Sequence, residues 1–223
     1  MTDKKRLAEI IVFAGPNGSG KSTITETLRP AGVDYINADE IKKVLHCTDL
    51  EAAQYAEKDR ENHLANGLDF CFETVLSTER NLLLLQKAKA DDYFIRSHYV
   101  ITADPEINVE RVQQRVANGG HDVPKEKIIS RYYRSARFVK NLVGVSDVCN
   151  IYDNTHFPFR FFKKRKDEYF YSPCESWEIE DIRKLTGIDK ITKKDLNDKN
   201  PYWKNFLKEE EHLRKYGNGN LLR

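Results

Sequence analysis

The chain has 223 residues, 39% of them hydrophobic and 32% charged, enough for one α/β domain of ordinary size or one domain carrying an extension. Lys plus Arg (37) nearly cancels Asp plus Glu (35), so the net charge of +2 gives no general argument for nucleic acid or an anionic membrane. No apolar run approaches a membrane span, and the four cysteines (Cys47, Cys71, Cys149, Cys174) show no CxxC pair or metal-ligand spacing, so they read as reduced, mostly packed thiols of a cytoplasmic protein.

In chain order, "AEIIVFA" (8–14) reads as a first strand, and its apolar run is too short for a signal peptide. "KSTITETLR" (21–29) is the helix it feeds and "VDYIN" (33–37) the second strand. A polar, helix-rich stretch runs from about Asp39 to Asn66. Next come a buried strand, "LDFCFETV" (68–75), an amphipathic helix, "ERNLLLLQKAKA" (79–90), and a strand, "YFIRSHYVI" (93–101). Asp104 as N-cap with Pro105 at the first helical position signals a further helix. "NGGHDVP" (118–124) interrupts it before a long helix from about Lys125 to Leu142, and "SDVCNIYDN" (146–154) closes the series as a strand. Such alternation predicts a parallel sheet with helices on both faces.

Beyond Thr155, "FPFRFFKKRKDEYFYSP" predicts two aromatic strands around the charged turn "KKRKDE", added to the sheet edge. Short helical stretches follow, "SWEIEDIRKLTG" and "NPYWKNFLKEEEHLRKYG", broken by Gly187, Pro201 and Gly217. The expected organisation is a core over residues 1–155 with a lid around 111–134, and a hairpin with a helical extension over 156–223.

Between the first strand and the first helix stands "GPNGSGKST": Gly15, Pro16, Asn17, Gly18, Ser19, Gly20, Lys21, Ser22 and Thr23. A loop that wraps a phosphate must turn backbone N–H groups inward, through dihedrals and close approaches that a Cβ obstructs. Glycines at 15, 18 and 20 meet that need, and the helix starting near Lys21 adds its positive end. Lys21 is placed to reach the β and γ phosphates of ATP, and the Ser22 hydroxyl to ligate Mg²⁺.

Ligands of open α/β sheets sit outside the carboxyl ends of the strands. Asp39, after the second strand, is there a candidate base for an attacking hydroxyl, or an N-cap of the helix "DEIKKVL". Glu73, among aromatic and β-branched neighbours, needs a partner for its charge, which points to a role at the site. Arg111 and Arg115 precede the pair Gly119-Gly120, and Arg131 and Arg134 follow it. Arginines on either side of a glycine hinge suit a lid that closes on a transferring phosphoryl group, or a solvated helical hairpin. His121 falls within that turn.

Together, "GPNGSGKST", "INADEI", "FCFETVLS" and "RVQQRVANGGHDVPKEKIISRYYRS" resemble the zeta toxin family of P-loop kinases, in particular its short zeta-like branch, over about residues 8–155. The resemblance implies a core sheet ordered 2-3-1-4-5, ATP as donor, and a small-molecule acceptor, a hydroxyl of a nucleotide sugar such as UDP-N-acetylglucosamine. It also implies Asp39 as base, Glu73 with Thr74 at the acceptor, and Arg115 with Arg131 or Arg134 on the phosphates. An antitoxin partner is implied by the same analogy. The alternative from the residues is a nucleotide-dependent switch or ATPase whose protein or nucleic-acid partner meets the basic stretch "RFFKKRK" (160–166). A transporter-type ATPase is disfavoured, because neither an "LSGGQ"-like signature nor a strand ending in an Asp-Glu pair is present.

Overall fold

The computed structural model describes residues 7–120 and 122–197. The first strand, β1 (Glu9–Ala14), is buried along almost its whole length. Its side chains alternate between two cores: Ile10, Val12 and Ala14 join one cluster, Ile11 and Phe13 the other. A strand that is apolar at successive positions is the signature of a sheet covered on both faces.

The chain continues through α1 (Lys21–Leu28), β2 (Asp34–Ile36), α2 (Ala38–Leu45), α3 (Asp49–Ala65), β3 (Phe70–Thr74), α4 (Arg80–Ala90), β4 (Phe94–Ile101), α5 (Pro105–Ala117), α6 (Lys125–Val145) and β5 (Val148–Asp153). These five strands are parallel and lie in the order β2-β3-β1-β4-β5, as the resemblance implies. The polar stretch after β2 is two helices, because the capping box of Thr48 and Glu51 restarts the helix after His46 closes α2 in the left-handed region.

The sheet does not end at β5. An antiparallel hairpin, β6 (Phe159–Arg165) and β7 (Glu168–Tyr171), pairs with β5, and β8 (Thr192–Lys193) adds a last short strand after α7 (Ile179–Thr186). The hairpin turn is tighter than "KKRKDE" suggests: Lys163, Lys164 and Arg165 belong to β6, and the turn is made at Lys166, whose φ of 55° supplies the left-handed residue a tight hairpin needs. Trp177 stacks on Phe161 at 5.1 Å, so the segment leading into α7 packs on the sheet. The second of the two expected helical stretches, "NPYWKNFLKEEEHLRKYG", lies outside the described residues.

Among the described residues, no helix is long and apolar enough to cross a membrane. All four cysteines are free. Burial pushes the Cys71 thiol up to about 11 and that of Cys149 up to about 12, so both stay protonated and serve as packing groups.

Candidate functional site

The turn from β1 into α1 is held from outside by three elements. The Gly15 amide donates to the Thr74 carbonyl at 3.1 Å, which fastens the start of the loop to the end of β3. Asn108 of α5 donates its Nδ2 to the Asn17 carbonyl (2.7 Å), and Asn154, just past β5, donates its Nδ2 to the Ser19 carbonyl (2.8 Å). In a trans peptide the N–H points opposite to the C=O. Pinning those two carbonyls outward therefore turns the amides of Gly18 and Gly20 inward. Neither asparagine was singled out in the sequence, and no spacing could have revealed them, since their role arises only from the packing of α5 and β5 against the loop.

The glycines answer the same packing. Gly18 and Gly20 have φ of 78° and 87°, and a Cβ on Gly18 would lie 2.4 Å from the Asn108 carbonyl oxygen. Helix α1 begins with Gly20 as its cap, without a side-chain cap bond and without an acidic residue in its first turn. Its first amides and the positive end of its dipole are thus presented together. The Ser19 hydroxyl is buried without a hydrogen-bond partner beside them. A loop with inward amides, an orphaned buried hydroxyl and an uncapped helix start fits an anionic phosphate group.

Lys21 opens α1. Burial lowers its pKa and Arg115 lowers it further, while Glu73 and Asp39 oppose them. The lysine therefore stands within electrostatic reach of both expected carboxylates and one expected arginine. Ser22 donates its hydroxyl to Oε2 of Glu73 at 3.1 Å, and Oε1 of Glu73 is buried without a hydrogen-bond partner. Among the described residues, no group of three or more His, Cys, Asp or Glu side chains could hold a metal ion. An alcohol and a carboxylate side by side suit Mg²⁺ bound mainly through phosphate oxygens and waters, since that ion is usually held by few protein oxygens.

Asp39 is exposed at the second position of α2, and the N-cap is Asn37, whose Oδ1 accepts from the Asp39 and Glu40 amides. The capping alternative for Asp39 is thus corrected, because Asn37 already satisfies those amides and leaves the Asp39 carboxylate uncommitted to the helix end. Thr74 is placed differently from Glu73: neighbouring residues of a strand face opposite ways. Its hydroxyl oxygen accepts from the Leu76 amide (3.0 Å) and from Asn81 Nδ2 (2.8 Å), so Thr74 braces the turn between β3 and α4. Leu76 in that turn is buried with φ of 55°, an uncommon conformation for a bulky residue.

The arginines divide. Arg131 on α6 donates to Oδ1 of Asn17 at 3.2 Å and so reaches the loop. Arg111 donates to the carbonyls of Asn154 and Thr155, which makes it a brace of the segment after β5. Arg134 is exposed and donates its Nε to the Ser130 carbonyl of its own helix. The pair Gly119-Gly120 forms a Schellman end to α5: the Gly119 amide donates to the Val116 carbonyl and the Gly120 amide to that of Arg115, both at 2.9 Å, with Gly119 left-handed. Val109 and Val112 of α5 pack with Val123 and Ile128 beneath it. His121 lies outside the described residues.

Residues 11–128, more than half of the chain, match the AAA domain family model. The chain belongs to the AAA domain family. An uncharacterized protein of Haemophilus influenzae is 27% identical over 127 residues, 55% of this chain and 91% of that protein. Among solved structures, the AvrRxo1-ORF1:-ORF2 complex with ATP is similar at TM-score 0.59 and 17% identity, over 83% of this chain and 65% of that one. The PezAT chromosomal toxin-antitoxin system of Streptococcus pneumoniae is similar at TM-score 0.55 and 12% identity, over 95% of this chain and 88% of that one. The chain spans less than two thirds of the AvrRxo1 chain, and 46% of the chain it matches in the Pnkp1/Rnl/Hen1 RNA repair complex. These likenesses are of fold, and the fold is the mostly parallel α/β sheet of P-loop NTPases.

Proposed function

We propose that this protein is an ATP- and Mg²⁺-dependent small-molecule kinase of the zeta-toxin type, acting on a hydroxyl of a nucleotide sugar such as UDP-N-acetylglucosamine. The observation that carries the reading is the meeting of Ser22 with Glu73 at 3.1 Å, one residue past Lys21, beside a loop whose Asn17 and Ser19 carbonyls are held by Asn108 and Asn154. A cation at the helix start, with one carboxylate engaged by Ser22 and another exposed on α2, supplies separate groups for the phosphates and for an alcohol proton.

In this scheme the amides of the loop from Gly15 to Thr23 bind and orient the triphosphate, and Lys21 follows the terminal group. Ser22 and Glu73 would hold Mg²⁺, which when bound neutralises charge on the phosphate oxygens. Asp39 takes the proton of the acceptor hydroxyl. Arg115 and Arg131 stabilise charge on the moving group from the lid around 111–134. Residues 1–155 are the kinase core of the proposal and 156–223 its extension, working in the cytoplasm, with an antitoxin as protein partner by analogy with the toxin-antitoxin systems of similar fold.

The alternative of a switch acting through residues 160–166 receives less support. Lys164 is buried and donates to the Val143 and Gly144 carbonyls, and Arg160 donates to Oδ1 of Asn150 and to the Leu196 carbonyl, so these cations are used inside the fold.

The test is incubation with γ-labelled ATP and a panel of nucleotide sugars. A labelled sugar product, abolished by Asp39→Asn with ATP affinity retained, is the expected outcome. Hydrolysis that RNA or a protein strongly stimulates, with no acceptor labelled, would favour the switch.

A further inference from the structure

Strands β2 and β3 are parallel, with Tyr35 opposite Cys71 and Ile36 opposite Phe72. Residues two apart on a strand share a face, so Tyr35 lies diagonally beside Glu73 on the face covered by α1, within reach of a long side chain. Arg29 lies over the Tyr35 ring at 4.6 Å and covers it.

The residue that follows β2 fixes where the Tyr35 hydroxyl proton goes. Oδ1 of Asn37 accepts from the amides of Asp39 (2.8 Å) and Glu40 (3.3 Å), and its Nδ2 donates to the Tyr35 hydroxyl at 2.6 Å. A carboxamide nitrogen can only donate, so the phenol oxygen accepts and its own proton must be directed elsewhere. Glu73 is the carboxylate on that same face, diagonally beside Tyr35 across the β2–β3 pair and two residues from Cys71, which stands opposite Tyr35. On that carboxylate Oε2 is taken by Ser22, whereas Oε1 is buried and lacks a donor.

We propose that Tyr35 and Asn37 are positioning residues of the phosphoryl-transfer site: Tyr35 donates to Oε1 of Glu73, Asn37 aims that hydroxyl, and the same carboxamide holds the helix end that carries Asp39. The proposal rests on the kinase reading above. Its consequence is that the carboxylate beside Ser22 and the carboxylate on α2 are spaced by one hydrogen-bonded chain, Ser22–Glu73–Tyr35–Asn37–α2, and do not adjust independently.

Asn37→Asp separates the two duties of this residue. Aspartate caps a helix as well as asparagine does but has no N–H for Tyr35, so the phenol proton is drawn back toward the cap. Tyr35→Phe removes the hydroxyl and leaves the ring under Arg29. Each variant is expected to lower kcat about tenfold, the size of one hydrogen bond to a charged group. KM for ATP should stay within about twofold, since only alignment at the reacting centre is lost, and Tm should fall by no more than the loss of one buried hydrogen bond. The double variant should fall no further than either single one, the mark of a shared chain.

A second readout needs no turnover. In ¹³C-labelled protein the Glu73 carboxyl resonance should move on Asn37→Asp. The Asn37 side-chain amide should move on Glu73→Gln. Additive losses, an unchanged kcat or a silent Glu73 resonance would overturn the chain. Wild-type turnover with silent resonances sinks the chain and leaves the kinase reading standing, whereas responsive resonances in a protein that turns over no ATP do the reverse.

Discussion

Ser22 and Glu73 meet at 3.1 Å, hydroxyl to carboxylate, across the gap between the first turn of α1 and the end of β3. Both ends of this contact are oxygen donors of the kind Mg²⁺ accepts, and the contact sits one residue from Lys21. Glu73→Gln keeps the shape and removes the charge, so turnover should fall by about 10²-fold or more if the carboxylate orients the reacting groups. Lys21→Ala should remove nucleotide binding or turnover. Isothermal titration with ATP and a labelled-phosphate assay check both, and full turnover in either variant would mean that the loop serves another purpose.

The glycines of the loop differ in what confronts them. A Cβ on Gly18 would meet the Asn108 carbonyl oxygen at 2.4 Å and other backbone atoms of that residue, while one on Gly20 would meet the Asn154 side-chain amide at 2.2 Å. Both positions are left-handed, which costs a non-glycine residue roughly 1–2 kcal/mol before any clash. Gly18→Ala should therefore destabilise the protein more than Gly20→Ala, because backbone yields less readily than a side chain. Thermal melts of the two variants decide it. The milder variant should still lose ATP affinity, since displacing Asn154 frees the Ser19 carbonyl that it pins.

The alternation of parallel strands with helices and the loop from Gly15 to Thr23 were legible because both rest on local pattern, apolar runs between helical segments and glycines at fixed spacing, whereas the order of the strands came from the family resemblance and not from any run of residues. The partners of the loop were not. Asn108 and Asn154 are far from it in sequence, and an asparagine in a helix or after a strand carries no local mark of what it will touch. The Gly119-Gly120 pair shows the opposite limit. Two glycines before a new helix read as the hinge of a lid or as part of a solvated helical hairpin, and it takes the bonds back to Val116 and Arg115 to show a Schellman end there. For Thr74, strand alternation alone carries its hydroxyl to the face away from Glu73, and the bonds to Leu76 and Asn81 show how it is used there.

Arg131 and Arg134 are three residues apart on α6 and of the same chemistry, yet only Arg131 reaches the loop, through Asn17 at 3.2 Å. Arg134 is exposed and engages its own helix backbone. Arg131→Ala should lower kcat/KM for ATP by about 10²-fold, in the range of lost transition-state donors, and Arg134→Ala should stay close to wild type. Steady-state kinetics on the pair are the check. A loss in Arg134→Ala as large as that in Arg131→Ala would mean that α6 turns when substrate binds and brings the second guanidinium inward.

His98 offers a test of stability that is independent of the nucleotide. Its ring lies between Phe13 at 5.2 Å and Tyr152 at 6.1 Å, and burial, with Arg96 and Arg160 adding, lowers its pKa to about 3. An unfolded histidine titrates near 6.5, so between about pH 6.5 and 3 the unfolded chain binds a proton that the folded chain refuses. The sign follows: a depressed histidine leaves stability intact above about pH 6.5 and removes it as the pH falls, by up to about 1.4 kcal/mol per pH unit. His98→Phe keeps an aromatic ring in the stack and removes the titration. Urea melts of both proteins from pH 7 to pH 4.5 should show the wild type losing stability faster by close to one proton's worth of slope. Parallel lines would mean that the ring is already reached by water and protonates in the folded protein.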